Sequence, residues 1–245
     1  MDDIKYLFED ENIIVCHKPS GMATQSAKIG TMDVVSEVKN HIARDNRNNK
    51  GRQVKSLPPY VALINRLDQP VEGIVLLAKD KKSAANLSRQ LTSHSIDKLY
   101  YAVVCARPIK DKERLINYIN REKNGNAYIE ADDKNGAKKA SLKYEIKKSI
   151  NDDKYSLLKI ELETGRFHQI RTQLSYMGCP IYGDSRYGFD KTKDELNINM
   201  FGEIALCSYE LSFKHPISGK DMKFTITPSG EIFKLFFDKE MAADE

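Results

Sequence analysis

The sequence predicts an α+β fold built on a mixed, mainly antiparallel sheet with flanking helices. Three observations carry that prediction. Short apolar runs, β-branched or alternating, outnumber apolar stripes of helical period. Many of the runs are joined by short turns rich in Asp, Asn, Gly or Pro, which suits antiparallel pairs better than the helical crossovers of a doubly wound sheet. No internal repeat, low-complexity tract or convincing linker breaks the 245 residues, so one domain over 1–245 is expected.

Taken in order, Tyr6 to Phe8 and Ile13 to Cys16 flank the acidic EDEN and predict a hairpin, followed by a Pro19/Gly21 turn. Val34, Val38 and Ile42 recur every fourth residue, so Asp33 to Ala43 should be a helix. Arg44 to Lys55 (RDNRNNKGRQVK) reads as a polar, basic loop. Gly73 to Ala78 is apolar and short enough to be a buried strand, and Asp80 should cap a helix buried through Ala84, Leu87 and Leu91. Leu99 to Cys105 predicts a strand. Ile109 to Lys139 is charged and punctuated by Gly and Asn, and reads as a hairpin-like surface excursion with weak strand signals at Leu115–Ile119 and Ala127–Ile129. Ser141 to Lys147 and Tyr155 to Glu163 should be strands joined at Asp152-Asp153. Phe167, Ile170, Leu174 and Met177 fall at helical spacing, with Gly178 as the stop. A Gly-rich loop, Pro180 to Gly188, leads to strands at Ile204–Phe213 and Met222–Ile226, then a last helix carrying Ile232, Leu235 and Phe236.

Composition excludes several classes. No apolar run approaches the roughly 20 residues of a membrane span, and the acidic N-terminus MDDIKYLFEDEN is unlike a secretory signal. A cytoplasmic protein without a membrane partner is expected. The four cysteines are scattered, with no C-x-x-C pair and no Cys/His cluster at zinc spacing, so no structural metal is indicated. The net charge of +4 is mild, but Arg44 to Lys55 sets five bases against one acid, in a form that suits either a phosphate backbone or plain solvation.

Two stretches carry candidate chemistry. In INRLDQPVEG, Asn65, Arg66 and Asp68 crowd into a turn stiffened by Pro70, in front of the buried strand. Asp68 is either a turn cap or a carboxylate held for reaction. In ETGRFHQIRTQ, a strand runs into a helix whose first turns present Arg166, His168 and Arg171. Arg171 follows the buried Ile170, so it sits at the edge of the packed face and needs a carboxylate. Asp68 is the candidate, and the pairing would keep it ionised as a nucleophile.

The order of these pieces resembles the RluA-type pseudouridine synthases of ribosomal and transfer RNA. The family's HRLD-x-x-T-S-G motif aligns with Asn65-Arg66-Leu67-Asp68 and Gly73. Its K-x-Y-x-A strand aligns with Lys98, Tyr100 and Ala102, and G-R-x-H-Q-I-R with Gly165 to Arg171. P-I-x-G-D-x-x-Y-G is matched from Pro180 to Gly188, N-K-P-x-G by His17, Lys18, Pro19 and Gly21, and L-x-F-x-H-P by Leu211, Phe213, His215 and Pro216. Asn65 stands where the family has His, Val71-Glu72 where it has Thr-Ser, and Cys207 where His follows the Leu.

The resemblance implies a catalytic fold with a central cleft and no separate N-terminal RNA-binding module. It implies isomerisation of uridine to pseudouridine in ribosomal or transfer RNA, without cofactor or metal, and nothing in the sequence demands more than a monomer. Asp68 would be the catalytic residue, Arg171 its orienting partner, and Tyr100 the ring stacked on uracil. Arg66, Arg166 and His168 would bind substrate, with Arg66 entering the space left by the flipped base. A non-catalytic RNA-binding or chaperone module on the same fold is the first alternative, and a two-carboxylate hydrolase the second.

Overall fold

A computed structural model describes residues 4–26, 30–50, 58–198 and 202–237. Contacts divide the chain into two compact units: Met1–Ile96 with Leu211–Ile226, and Asp97–Glu210 with Thr227–Glu245.

In the first unit, strands β1 (Lys5–Glu9) and β2 (Ile13–Lys18) form the expected antiparallel hairpin. The turn is fixed by Asp10, whose Oδ1 accepts from the amides of Asn12 and Ile13, both at 2.8 Å. Helix α1 (Val34–Lys50) is capped by Asp33, which accepts from the Ser36 amide at 2.7 Å. The expected basic loop is therefore corrected: Arg44 to Lys50 continue the helix, and residues 51–57 lie outside those described. Arg44 reaches back to Glu37 at 2.8 Å, and His41 Nε2 lies 3.4 Å from Asp45 one turn on. These pairs tie the turn at which the apolar stripe ends.

β3 (Ala62–Leu63) and the fully buried β4 (Glu72–Ala78) pair antiparallel, and β2 pairs with the other edge of β4. Asp80 caps α2 (Lys81–Thr92) through the Ser83 amide at 2.8 Å. Ile13, Val15, Ile74, Leu76, Ala84 and Leu87 pack together with Leu211 and Phe213 as this unit's core.

The second unit has the strand order β10-β5-β9-β8-β6-β7, where β5 is Asp97–Val104, β6 Lys112–Arg121, β7 Ala127–Glu130, β8 Lys138–Ile150, β9 Tyr155–Leu162 and β10 Leu206–Lys214. The last four residues of β10 belong to the first unit, where it neighbours β4 and β11 (Asp221–Thr225). The pairs β5–β9, β9–β8, β8–β6 and β6–β7 are antiparallel, as the fold class requires.

The expected hairpin is present as β6 and β7, but it is built into the sheet and not set apart from it. β6 runs for ten residues and pairs with both β7 and β8, so the segment is sheet, and β8 opens at Lys138, before Ser141. Between β8 and β9, Asn151, Asp152 and Asp153 all take positive φ (51°, 51° and 64°), a left-handed run that short polar side chains tolerate best. Helix α3 (Gln169–Tyr176) begins later than the apolar spacing suggested, leaving Arg166, Phe167 and His168 before its first turn. The last helix, α4 (Glu231–Lys234), is a single turn that buries Ile232; Phe236 beyond it is buried, whereas Leu235 is exposed. No helix among the described residues is long and apolar enough to cross a membrane.

Candidate active site

In the first unit, the turn bearing Asp68 is laced to the segment 18–24 before α1. Lys18, fully buried, donates through Nζ to the carbonyls of Pro19 (2.9 Å), Met22 (2.8 Å) and Gln69 (3.1 Å). Ser20 Oγ donates to the Pro70 carbonyl at 2.8 Å, and the Gly21 amide to the Gln69 carbonyl at 2.9 Å. Thr24 closes a reciprocal pair: its hydroxyl donates to the Leu67 carbonyl at 2.7 Å and accepts from the Leu67 amide at 3.2 Å. The Val71 amide closes the turn on the Asp68 carbonyl at 3.0 Å. Every backbone carbonyl from Leu67 to Pro70 thus has a partner, which holds the turn in one conformation and presents Asp68 half-buried and Arg66 exposed.

Two of the residues that depart from the family motifs have structural employment. Asn65, buried, clamps β4 by donating Nδ2 to the Ile74 carbonyl (3.0 Å) and accepting on Oδ1 from the Leu76 amide (2.8 Å). Glu72 and His17 lie 2.7 Å apart, their side chains 7% and 13% exposed. The polar departures are matched by polar partners, so they do not by themselves mark a site that has lost its chemistry.

In the second unit, Tyr100 is buried on β5 opposite Ile160, while Tyr101 turns to the other face and stacks on Tyr209 at 4.0 Å. Lys98 shares the Tyr100 face, and burial pulls its ammonium below the usual lysine range, against the charge of Asp97. At the corner before α3, Gln169 ties the chain down: its Oε1 accepts from the Thr164 hydroxyl (2.8 Å) and the Arg166 amide (3.0 Å), and its Nε2 donates to the Ser141 carbonyl (3.1 Å). Burial works to raise the carboxyl of Glu163, but bonds from Ser141, Arg114 and Lys143 win and hold it below its ordinary value. The exposed Arg166 donates Nε to the Lys139 carbonyl at 2.9 Å.

His168 adopts a left-handed conformation (φ 50°, ψ 26°), uncommon outside glycine. Its ring stacks on Phe167 at 3.7 Å, and Nδ1 lies 2.7 Å from the Tyr187 hydroxyl. That hydroxyl also accepts from the Ala127 amide at 2.8 Å, so Tyr187 ties the His168 ring to the start of β7.

Arg171, on the first turn of α3, is buried and finds its carboxylate within this unit. Nε lies 2.7 Å from Asp184 Oδ2 and Nη2 2.8 Å from Oδ1, a bidentate fork with Asp184 only 1% exposed. Its guanidinium lies 4.9 Å from the centroid of the Tyr187 ring. The need for a carboxylate was legible in the sequence; Asp184 was not singled out there as a partner of Arg171. Its signal was present: an acid in a Gly-punctuated loop a few residues after the helix. The fork uses part of the guanidinium, and Nη1 adds two more donors to its chemistry. Among the described residues, the one cluster spaced to hold a metal is Glu9, His41 and Asp45, which contains no predicted site residue; Glu9 there already accepts from Lys79 at 2.7 Å.

This architecture is that of the pseudouridylate synthases. The solved structure of human RNA pseudouridylate synthase domain containing 4 matches with a TM-score of 0.71 at 21% identity, over 92% of this chain and 89% of that one. The family model described as RNA pseudouridylate synthase matches residues 12–176, and the chain belongs to that family. It is 33% identical over 185 residues to ribosomal large subunit pseudouridine synthase C of Rickettsia bellii, covering 76% of this chain and 57% of that protein. It is also 31% identical over 241 residues to ribosomal large subunit pseudouridine synthase D of Zymomonas mobilis, covering 95% and 72%. The chain spans little more than half the length of the first of these relatives.

Proposed function

We propose that this protein isomerises specific uridines in ribosomal or transfer RNA to pseudouridine, as a monomer in the cytoplasm. The observation that supports this reading most is the Arg66-Leu67-Asp68 turn, whose backbone is fixed throughout while the carboxylate stays half-buried, in a chain of this family. The reaction breaks the bond from the sugar C1′ to N1, turns the base, and joins C1′ to C5. The proton lost from C5 is balanced by one gained at N1, and no electrons are exchanged. Asp68 acts as the nucleophile on sugar or base, or as the base of a glycal route. Arg171 orients Asp68, Tyr100 stacks on the uracil, and Arg66, Arg166 and His168 bind the RNA around the extruded nucleotide.

The test is pseudouridine mapping of total RNA from cells lacking the protein, complemented with wild type or Asp68→Asn. One or a few sites should disappear and return with wild type alone. Return with Asp68→Asn would remove the aspartate from the chemistry, and an unchanged map with the wild-type protein expressed would remove the activity.

A further inference from the structure

Some cations of the second unit are paired with acids, and others, Lys123, Lys139, Arg186 and Lys191 among them, have no carboxylate partner among the described residues. Arg107, Lys112, Arg114, Lys143, Lys154 and Lys193 each lie 2.5–3.2 Å from a carboxylate. Arg121, Lys138 and Arg166 are all exposed, and none has a carboxylate partner among the described residues. These three are also neighbours. Lys138 pairs with Ile119 across β6 and β8, and Arg121 lies two residues beyond Ile119, so both point to the same face of the sheet. On that face Ile119, Ala127, Ala140 and Tyr187 form a small core with Phe167 packed against it. Arg121 lies over the Phe167 ring, Cζ 4.2 Å from the centroid, and the other side of the ring is covered by His168. Arg166, next to Phe167, is fastened to β8 through the Lys139 carbonyl.

Two of the three cations are therefore held in place without being neutralised. A guanidinium stacked on an aromatic ring keeps its edge N–H groups available to a phosphate, and its side-chain entropy is already reduced. We propose that Arg121, Lys138 and Arg166, set around Phe167, form a phosphate-binding strip that takes the backbone of the substrate RNA. The proposal rests on the reading that this chain acts on RNA; it adds Arg121, which the sequence did not single out, and gives a binding role to Phe167, read there only as part of an apolar stripe. Acids near the strip are engaged elsewhere: Glu122 accepts from Asn124 at 2.6 Å, and Glu130 from Tyr128 at 3.2 Å.

Binding of a 20-nucleotide, uridine-containing, fluorescein-labelled single-stranded RNA to the full chain, followed by anisotropy across a KCl series, tests the strip. Each phosphate contact on a single strand contributes about 0.7 to the slope of log affinity against log salt. Combined Arg121→Gln, Lys138→Gln and Arg166→Gln should lower the slope by about 2, and each single change by about 0.7. Arg107→Gln with Lys154→Gln, which removes two paired cations, should leave it unchanged. Phe167→Leu should weaken binding several-fold at constant slope, because the charges remain while Arg121 loses its platform. A triple variant that melts like wild type and keeps the wild-type slope overturns the proposal; if the triple variant melts early, the single changes decide by the same criterion. The readout needs no catalysis, so the strip is upheld if the slope falls even where the wild-type protein forms no pseudouridine.

Discussion

The Arg171–Asp184 fork is the most heavily buried ion pair described, and removing half of it has a calculable consequence. Asp184→Asn keeps the shape but removes the charge, and turns one of the two acceptors into a donor facing an arginine N–H. Breaking a buried pair from one side costs about 3–5 kcal/mol, because the remaining charge stays desolvated. No discount for solvent applies, since the two side chains are 6% and 1% exposed. For a chain of this size each kcal/mol moves the melting temperature by about 2–4 °C, so a fall on the order of 10 °C is expected. The assay is thermal and urea unfolding of wild type, Asp184→Asn, Arg171→Met and a double variant, Arg171→Met with Asp184→Leu. The double variant should regain most of the lost stability, because two apolar groups of similar volume replace a pair whose attraction and desolvation nearly cancel. If Asp184→Asn melts within about 2 °C of wild type, the fork is not what holds the start of α3.

Other expectations follow from the same kind of reasoning. Asn65→Leu strands the Leu76 amide and the Ile74 carbonyl inside the unit, and should lower unfolding free energy by about 3 kcal/mol in urea titrations. Lys98 carries a depressed pKa in the folded state, so folding is penalised while the lysine is charged; the penalty is complete below the folded pKa and relieved as pH rises toward the ordinary lysine value. Lys98→Met should accordingly raise stability at neutral pH and flatten the rise of stability with alkaline pH, read from melting temperatures across pH. Burial pushes the thiols of Cys16 and Cys105 up to about 12, so neither should react with a disulfide reagent at pH 8 until the protein is unfolded, as a thiol titration with and without guanidinium would show.

What the sequence made legible was local. The β1–β2 hairpin, the buried β4, the Asp80 cap and the alternation in the second half of β9 are each specified within about ten residues, by turn chemistry, apolar run or side-chain period. The misses were settled by partners far along the chain. β6 alternates between exposed and half-buried positions and looks weak alone; it is a strand because β7 and β8 pair with both its edges. α1 outruns its apolar stripe, with the pairs Glu37–Arg44 and His41–Asp45 tying its middle turns where the stripe ends. The delayed start of α3 depends on a left-handed His168, which Tyr187, 19 residues away, helps hold. Asp184, 13 residues beyond Arg171, stayed hidden because its residue type fits a turn as well as it fits an arginine. At the Asp68 turn the acid, arginine and proline were visible, but of the residues that fix the turn's backbone Lys18 read only as part of a distant motif and Thr24 was not singled out.

The motif departures bear on whether this site has drifted or adapted. His17 stands where the resemblance has Asn, and Glu72 where it has Ser; the two meet at 2.7 Å in a setting that leaves each nearly dry. A carboxylate introduced alone at position 72 would be desolvated without a ring nitrogen beside it, and a histidine alone at 17 would lose its acceptor. The pair is stable as a pair, which predicts strong coupling. Glu72→Ser and His17→Asn should each destabilise the protein, whereas the double change should cost less than their sum by about 0.5–3 kcal/mol in a double-mutant cycle. Additive effects would mean that the two substitutions are independent and that their contact contributes nothing. Coupling in stability with unchanged pseudouridine formation in the double variant would show that the exchange supports the β2–β4 pairing behind the Asp68 turn and leaves the chemistry to the turn itself.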